Sequence, residues 1–187
     1  PLRVWFGPVV AFNASLPGHE PMGWSFPVLA GLAAIAAIPV SIAVAEAGIR
    51  FGAERVIALV SLSSVAICVV LGFAVDAAPG LLLALLVLHG ATSYGDAGAI
   101  NAGFIGTTSP ETRSASLALF GLAGFIAGFL GSLAVGLAID LAGGASRPVA
   151  WAAGIAMMGL GSAVTAVAML SGGAARRRRR GAVDGAG

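Results

Sequence analysis

Apolar runs close to membrane-spanning length alternate along this chain with short polar or glycine- and proline-marked breaks. The first run, about Leu2 to Leu16, carries Trp5, Phe12 and Asn13 and stops at Pro17-Gly18-His19-Glu20-Pro21. The second, about Trp24 to Ala45, gives way to the charged stretch Glu46 to Arg55, and the third, about Val56 to Val75, ends at Asp76-Ala77-Ala78-Pro79-Gly80. The fourth spans about Leu81 to Gly106, the fifth about Ser114 to Leu141 and the sixth Val149 to about Leu170. Each run approaches the ~20 residues that cross ~30 Å of hydrocarbon as a helix. Helices satisfy their own backbone groups in lipid, so the pattern predicts an all-α membrane protein of six spans. Gly and Pro between the runs act as helix stops and turns.

Composition sharpens the class. Hydrophobic residues make up 58% of the 187 and charged residues 10%, against roughly 25% charged in a soluble domain. A water-facing surface cannot be built from this. The chain has no lysine, and five of its ten arginines form the block Arg176 to Arg180. A basic run directly after an apolar span reads as a cytoplasmic anchor rather than a nucleic-acid site. With the Arg50/Arg55 loop inside, alternation also puts Arg3, Arg113 and the tail inside, leaving Arg147 alone outside. This is the positive-inside pattern, with both termini cytoplasmic and a multi-pass place in the cell (inner) membrane. The domain division expected is a bundle over 1–171 and an Arg-rich cytoplasmic tail over 172–187. Pro1 opens the chain without a signal peptide, and a first run this short suggests that a longer protein continues upstream.

The fourth run holds the candidate chemistry. It begins as apolar as lipid, Leu81 to Leu88, then turns polar at membrane depth: His89-Gly90-Ala91-Thr92-Ser93-Tyr94-Gly95-Asp96. An ionisable residue inside a span is costly unless it faces a cavity or a partner, so Asp96 marks a functional site by default. At 100° per residue, His89, Thr92, Ser93, Asp96, Ile100 and Gly103 fall within roughly 100° of one another, while Tyr94 and Asn101 share another face. His89 lies ~12 Å and Asp96 ~22 Å in from the outer end, straddling the midplane. Such a stripe could pass a proton or line a polar solute's path; equally, Asp96 could cap a helix break at Gly95 or pair with another span. Interhelical hydrogen bonds would also account for Tyr94 and Asn101. No nucleophile–base set, phosphate loop or metal-ligand cluster appears, and Cys68 is single. No enzyme activity, metal or cofactor is expected. The glycines of the fifth run, Gly121, Gly124, Gly128 and Gly131 among them, suit close helix packing or a surface that slides.

Several local patterns resemble the C-terminal six-helix half of a major facilitator superfamily transporter. Ser109-Pro110-Glu111-Thr112-Arg113-Ser114-Ala115 resembles the family's Pro-x-x-Arg-Gly/Ala turn between its tenth and eleventh helices. The glycine-rich fifth run closing Gly136-Leu137-Ala138-Ile139-Asp140 resembles the eleventh helix, and Arg50-Phe51-Gly52 with Arg55 resembles the basic loop between the eighth and ninth. Ile49 stands where that loop has its Asp, and Ala53 and Glu54 where arginines follow its Gly; Glu46 is the candidate acidic substitute. The resemblance implies secondary transport of a small solute by alternating access, with proton coupling at Asp96 and an N-terminal six-helix half as partner. It also implies a midplane site with Asp96, Ser93 and His89, with Trp5, Phe12 and Asn13 as further wall residues, and a cytoplasmic gating loop of Glu46, Arg50, Gly52 and Arg55. The alternative expectation is a complete six-span protein that dimerises through its glycine faces as a scaffold or assembly factor.

Overall fold

The computed structural model describes the backbone of residues 2–19 and 26–184, and the side chains of residues 4–19, 27–93, 100 and 108–172. Six helices follow one another: α1 (Leu2–Ala14), α2 (Phe26–Phe51), α3 (Ala53–Phe73), α4 (Pro79–Thr107), α5 (Arg113–Leu141) and α6 (Pro148–Asp184). No strand occurs among the described residues. Four stretches are long and apolar enough to cross a membrane: Pro27–Phe51, Ala53–Phe73, Arg113–Leu141 and Pro148–Gly172. Helix α1, at 13 residues, rises only ~20 Å, and the apolar part of α4 with described side chains, Pro79–Ser93, is also short.

Local chemistry explains where the helices stop. Helix α2 runs past Ala45 to Phe51 because Glu46 and Arg50 pair one turn apart, with Arg50 Nε donating to Glu46 Oε1 at 2.8 Å. It ends at Gly52, whose φ of 94° is the left-handed region that favours glycine. Helix α5 ends at Gly143 and Gly144, with φ of 106° and 86°; the Gly144 amide reaches back to Ile139 O at 3.0 Å, a Schellman-type closure. Helix α4 starts on a proline in its first turn, where no amide is needed. Helix α6 continues beyond the expected span through the arginine block to Asp184, so the backbone of most of the tail is helical.

The helices interleave rather than pairing in order. Helix α3 packs extensively on α6 and α2 on α4, with further contacts of α3 on α4, α5 on α6, α2 on α3 and α1 on α4. Helix α1 meets α5 thinly and meets α6 through aromatic rings, Trp5 and Phe12 against Trp151. Exchanging α1, α2, α3 with α4, α5, α6 returns the same set of pairs: α2·α4 becomes α5·α1, α3·α4 becomes α6·α1, and α3·α6 is unchanged. The halves are unequal in extent, since α1 is so short.

The main core sits at one end of the bundle. Phe6, Val9, Phe12, Leu71, Val75, Leu82, Leu86, Val135, Ile139, Trp151 and Ile155 form one buried cluster near the loops at 74–78 and 142–147. Asn13 ties α1 to the first of these loops, its side-chain amide donating to Val75 O and Ala77 O at 2.9 Å each. Trp151 Nε1 donates to Ala145 O in the second at 2.8 Å. The outer surface is strongly apolar: Phe73 is 85% exposed, Phe125 81% and Leu141 80%. Hydrocarbon, not water, is the solvent such a surface suits.

Candidate functional site

A cleft of about 1210 Å³ opens among α1, α3, α4, α5 and α6. On α3, α4 and α6 it begins some ten residues from the loops of the packed end, a depth of ~15 Å along each helix. Its walls take Ser61 and Ser64 from α3, His89, Thr92 and Ser93 from α4, Ser132 from α5, and Ser162 and Thr165 from α6, set among Phe125, Phe129, Met157 and Met158. Polar groups therefore converge from four helices onto one mostly apolar cavity, the arrangement typical of small-molecule sites.

At its centre is a hydrogen-bonded chain that ties three helices together. Ser64 Oγ lies 3.2 Å from His89 Nδ1 and 3.1 Å from Ser162 Oγ. The serine has one proton and two lone pairs, so it donates to one neighbour and accepts from the other, according to the imidazole tautomer. Cys68 Sγ sits 3.7 Å from His89 Nε2. His89, Ser64 and Cys68 are all buried. Gly159 of α6 makes room for the thiol: a Cβ there would stand 3.1 Å from Cys68 Cβ. No group of three or more His, Cys, Asp and Glu that could hold a metal occurs among the described residues.

The structure brings three members of the sequence-derived stripe, His89, Thr92 and Ser93, onto the cleft wall. The side chains of Asp96, Tyr94 and Asn101 lie outside the described residues. The backbone of α4 is continuous from Pro79 to Thr107, so no helix break at Gly95 exists for Asp96 to cap. Asn13 lies at the packed end, tethering a loop, and is not a wall of the cleft; Phe12 likewise lines a separate, smaller pocket with Trp151. Trp5 is not in the cleft lining, where α1 contributes Val4; it packs beside the α5 wall, its Nε1 donating to Ser132 O at 3.2 Å while its ring lies against Gly136. Glu46 and Arg50 form an exposed ion pair at the end of α2, with Gly52 as the turn and Arg55 exposed at the start of α3.

Three of the α5 glycines pack against nothing within the bundle. A Cβ added at Gly121, Gly124 or Gly128 would meet nothing within 4 Å, and Gly124, Gly128 and Gly131 line the cleft. Close approach is found further along α5 at Gly136, where a Cβ would stand 3.2 Å from the Trp5 ring, and at Gly154 of α6, where it would stand 2.9 Å from Ile139 Cγ1. The sequence reading missed the hydroxyls of α3 and α6. Ser61, Ser64 and Cys68 recur at i, i+3 and i+7, and Ser162 and Thr165 at i and i+3, a helical spacing that marks one face.

Compared with protein-family models, curated proteins and solved structures, the chain has no match.

Proposed function

We propose that this bundle is half of a secondary transporter, resembling the C-terminal half of the major facilitator superfamily, and that it moves a small solute across the cell membrane by alternating access. The observation that carries the reading is the interleaved packing, unchanged in its pairs when the first three helices are exchanged with the last three, around a cleft with a polar centre. Transporters of that superfamily nest two three-helix inverted repeats in each six-helix half and bind substrate near the midplane. A scaffold that associates through its outer face has no need of such a lining. The other half of the protein would close the cleft, and the Arg50/Arg55 loop and the arginine tail would face the cytoplasm.

Chemically, the site needs one group whose charge can be switched off before a closed state forms. Asp96 is the candidate by sequence, two turns along α4 from His89, because protonation removes the cost of carrying a carboxylate through a low-dielectric barrier. The test is solute-driven proton flux in proteoliposomes holding the full-length protein and an internal pH dye. The unsubstituted protein should shift the lumenal pH when a transported solute is added outside, and Asp96→Asn should abolish that signal. Uptake with an unchanged pH dependence in Asp96→Asn would remove the coupling role.

A further inference from the structure

Charge along α6 is confined to its ends. Arg147 stands just before the helix, and no residue from Pro148 to Ala175 is charged. Arg176 to Arg180 then follow as a block, with Asp184 the one acid after them. The backbone stays helical from Pro148 to Asp184, so spacing in sequence becomes distance in space. From Arg147 to Arg176 is ~43 Å at 1.5 Å per residue, which matches the ~40–45 Å of a bilayer with its headgroups. A tilt of ~20° still leaves ~41 Å. A helix that starts in one headgroup layer therefore delivers the arginine block to the other. The outward side of α6 runs into the same block. Leu160, Val164 and Val167 are exposed on it, and position 178 lies five whole turns beyond Leu160, in line with it at 100° per residue.

We propose that the helical arginine block of α6 binds the headgroups of anionic phospholipids in the leaflet at that end of the bundle. Guanidinium groups recognise phosphate oxygens in pairs, and a cluster of basic residues directly after a span attracts anionic lipid. Helical continuity adds to that attraction. A loose tail gives up chain entropy for each phosphate it meets, whereas a helix already holds the block at headgroup depth. Five successive positions also come round the whole helix. Helices α3 and α5 pack against α6 and leave its Leu160–Val167 side open, so one protein surface cannot take up the whole block. The inference needs α6 to span the membrane and does not need the transport reading.

The test is energy transfer from the tail to labelled lipid, with the full-length protein in phosphatidylcholine vesicles. A donor dye goes on Ala182→Cys in a Cys68→Ser background. The acceptor is phosphatidylglycerol or phosphatidylcholine carrying the same acyl-chain dye at the same mole fraction. The apparent affinity for the phosphatidylglycerol probe should exceed that for the phosphatidylcholine probe by about fivefold or more, the worth of one basic residue at an anionic surface. Salt at ~1 M, where the Debye length is ~3 Å, should remove most of the preference. Replacing Arg176 to Arg180 by glutamine should abolish it, and replacing them by lysine should keep most of it. Equal transfer to the two lipids overturns the proposal, as does a preference that survives the glutamine replacement. A single-stranded RNA that displaces phosphatidylglycerol from the tail at physiological salt overturns it in favour of nucleic acid.

Discussion

Ser64 joins α3, α4 and α6 through a single hydroxyl. It sits 3.2 Å from His89 Nδ1 and 3.1 Å from Ser162 Oγ, buried against the wall of the cleft. Ser64→Ala should therefore lower stability by about 1–2 kcal/mol, the upper range for hydrogen bonds between membrane helices and for buried groups left unpaired. Ser63→Ala is the control. Its hydroxyl donates to Leu59 O on its own helix at an exposed site, and its loss should change stability by less than about 0.5 kcal/mol. Unfolding in mixed detergent micelles measures both; equal effects would mean that the chain through His89 holds nothing together. The same pair shows what was legible in the sequence. His89 and Ser93 stood out because polar groups interrupt an unbroken leucine run, and the cleft takes up both. Ser64 and Ser162 did not stand out, because a serine within a span satisfies itself on its own backbone as readily as on a neighbour. Only the packing of α3 on α6 distinguishes Ser64 from Ser63.

Element boundaries were legible wherever backbone chemistry forces a stop. The left-handed glycines Gly143 and Gly144 end α5 at Leu141, as the pattern predicts. Charge alone was a poor guide: the Glu46–Arg50 pair extends α2 to Phe51, since an i, i+4 ion pair supports a helix rather than interrupting it. Glycine proved the most context-dependent residue. A run rich in glycine predicts close packing along α5, yet within this bundle Gly121, Gly124 and Gly128 face open space, and the close contacts fall at Gly136, against the Trp5 ring, and at Gly154 of α6. This distinction has a measurable consequence. Gly154→Val must displace Ile139 and Val135, which a Cβ alone already meets at 2.9 and 3.3 Å, and should cost about 1–3 kcal/mol as overpacking. Gly128→Ala meets nothing and should be neutral or stabilising by up to ~1 kcal/mol through helix propensity. Thermal midpoints of the two variants should move in opposite directions or differ clearly in size. A drop for Gly128→Ala matching that of Gly154→Val would show that α5 is covered there by another surface.

At the scale of the molecule, the interleaved helices and the arginine distribution are independent observations that point to one topology. Interleaving places α3 against α4 and α6, α5 against α6, and α1 against α4 and, through its rings, α6, so removing any of these helices opens the cleft or the packed core. If the proposed six-span topology holds, the arginines at 50, 55, 113 and 176–180 against 147 alone would put the packed end, with its loops at 74–78 and 142–147, at the outer face. The cleft then starts roughly midway through a ~30 Å core and lies to the inner side of the aromatic contact of Trp5 and Phe12 with Trp151. Single-cysteine labelling checks this directly. In a Cys68→Ser background, cysteines at Arg55, Arg113 and Arg178 should react with a membrane-impermeant maleimide only when the cytoplasmic face is exposed. Cysteines at His19, Asp76 and Ser146 should react from the opposite face. The decisive pair is Arg113 and Ser146, which flank α5. If both label from one side, α5 does not cross, the six-span topology fails, and the cleft wall formed by Phe125 to Ser132 lies at a surface instead of inside the membrane. If they label from opposite sides while Ser146 shares its side with Asp76, the packed end faces outward.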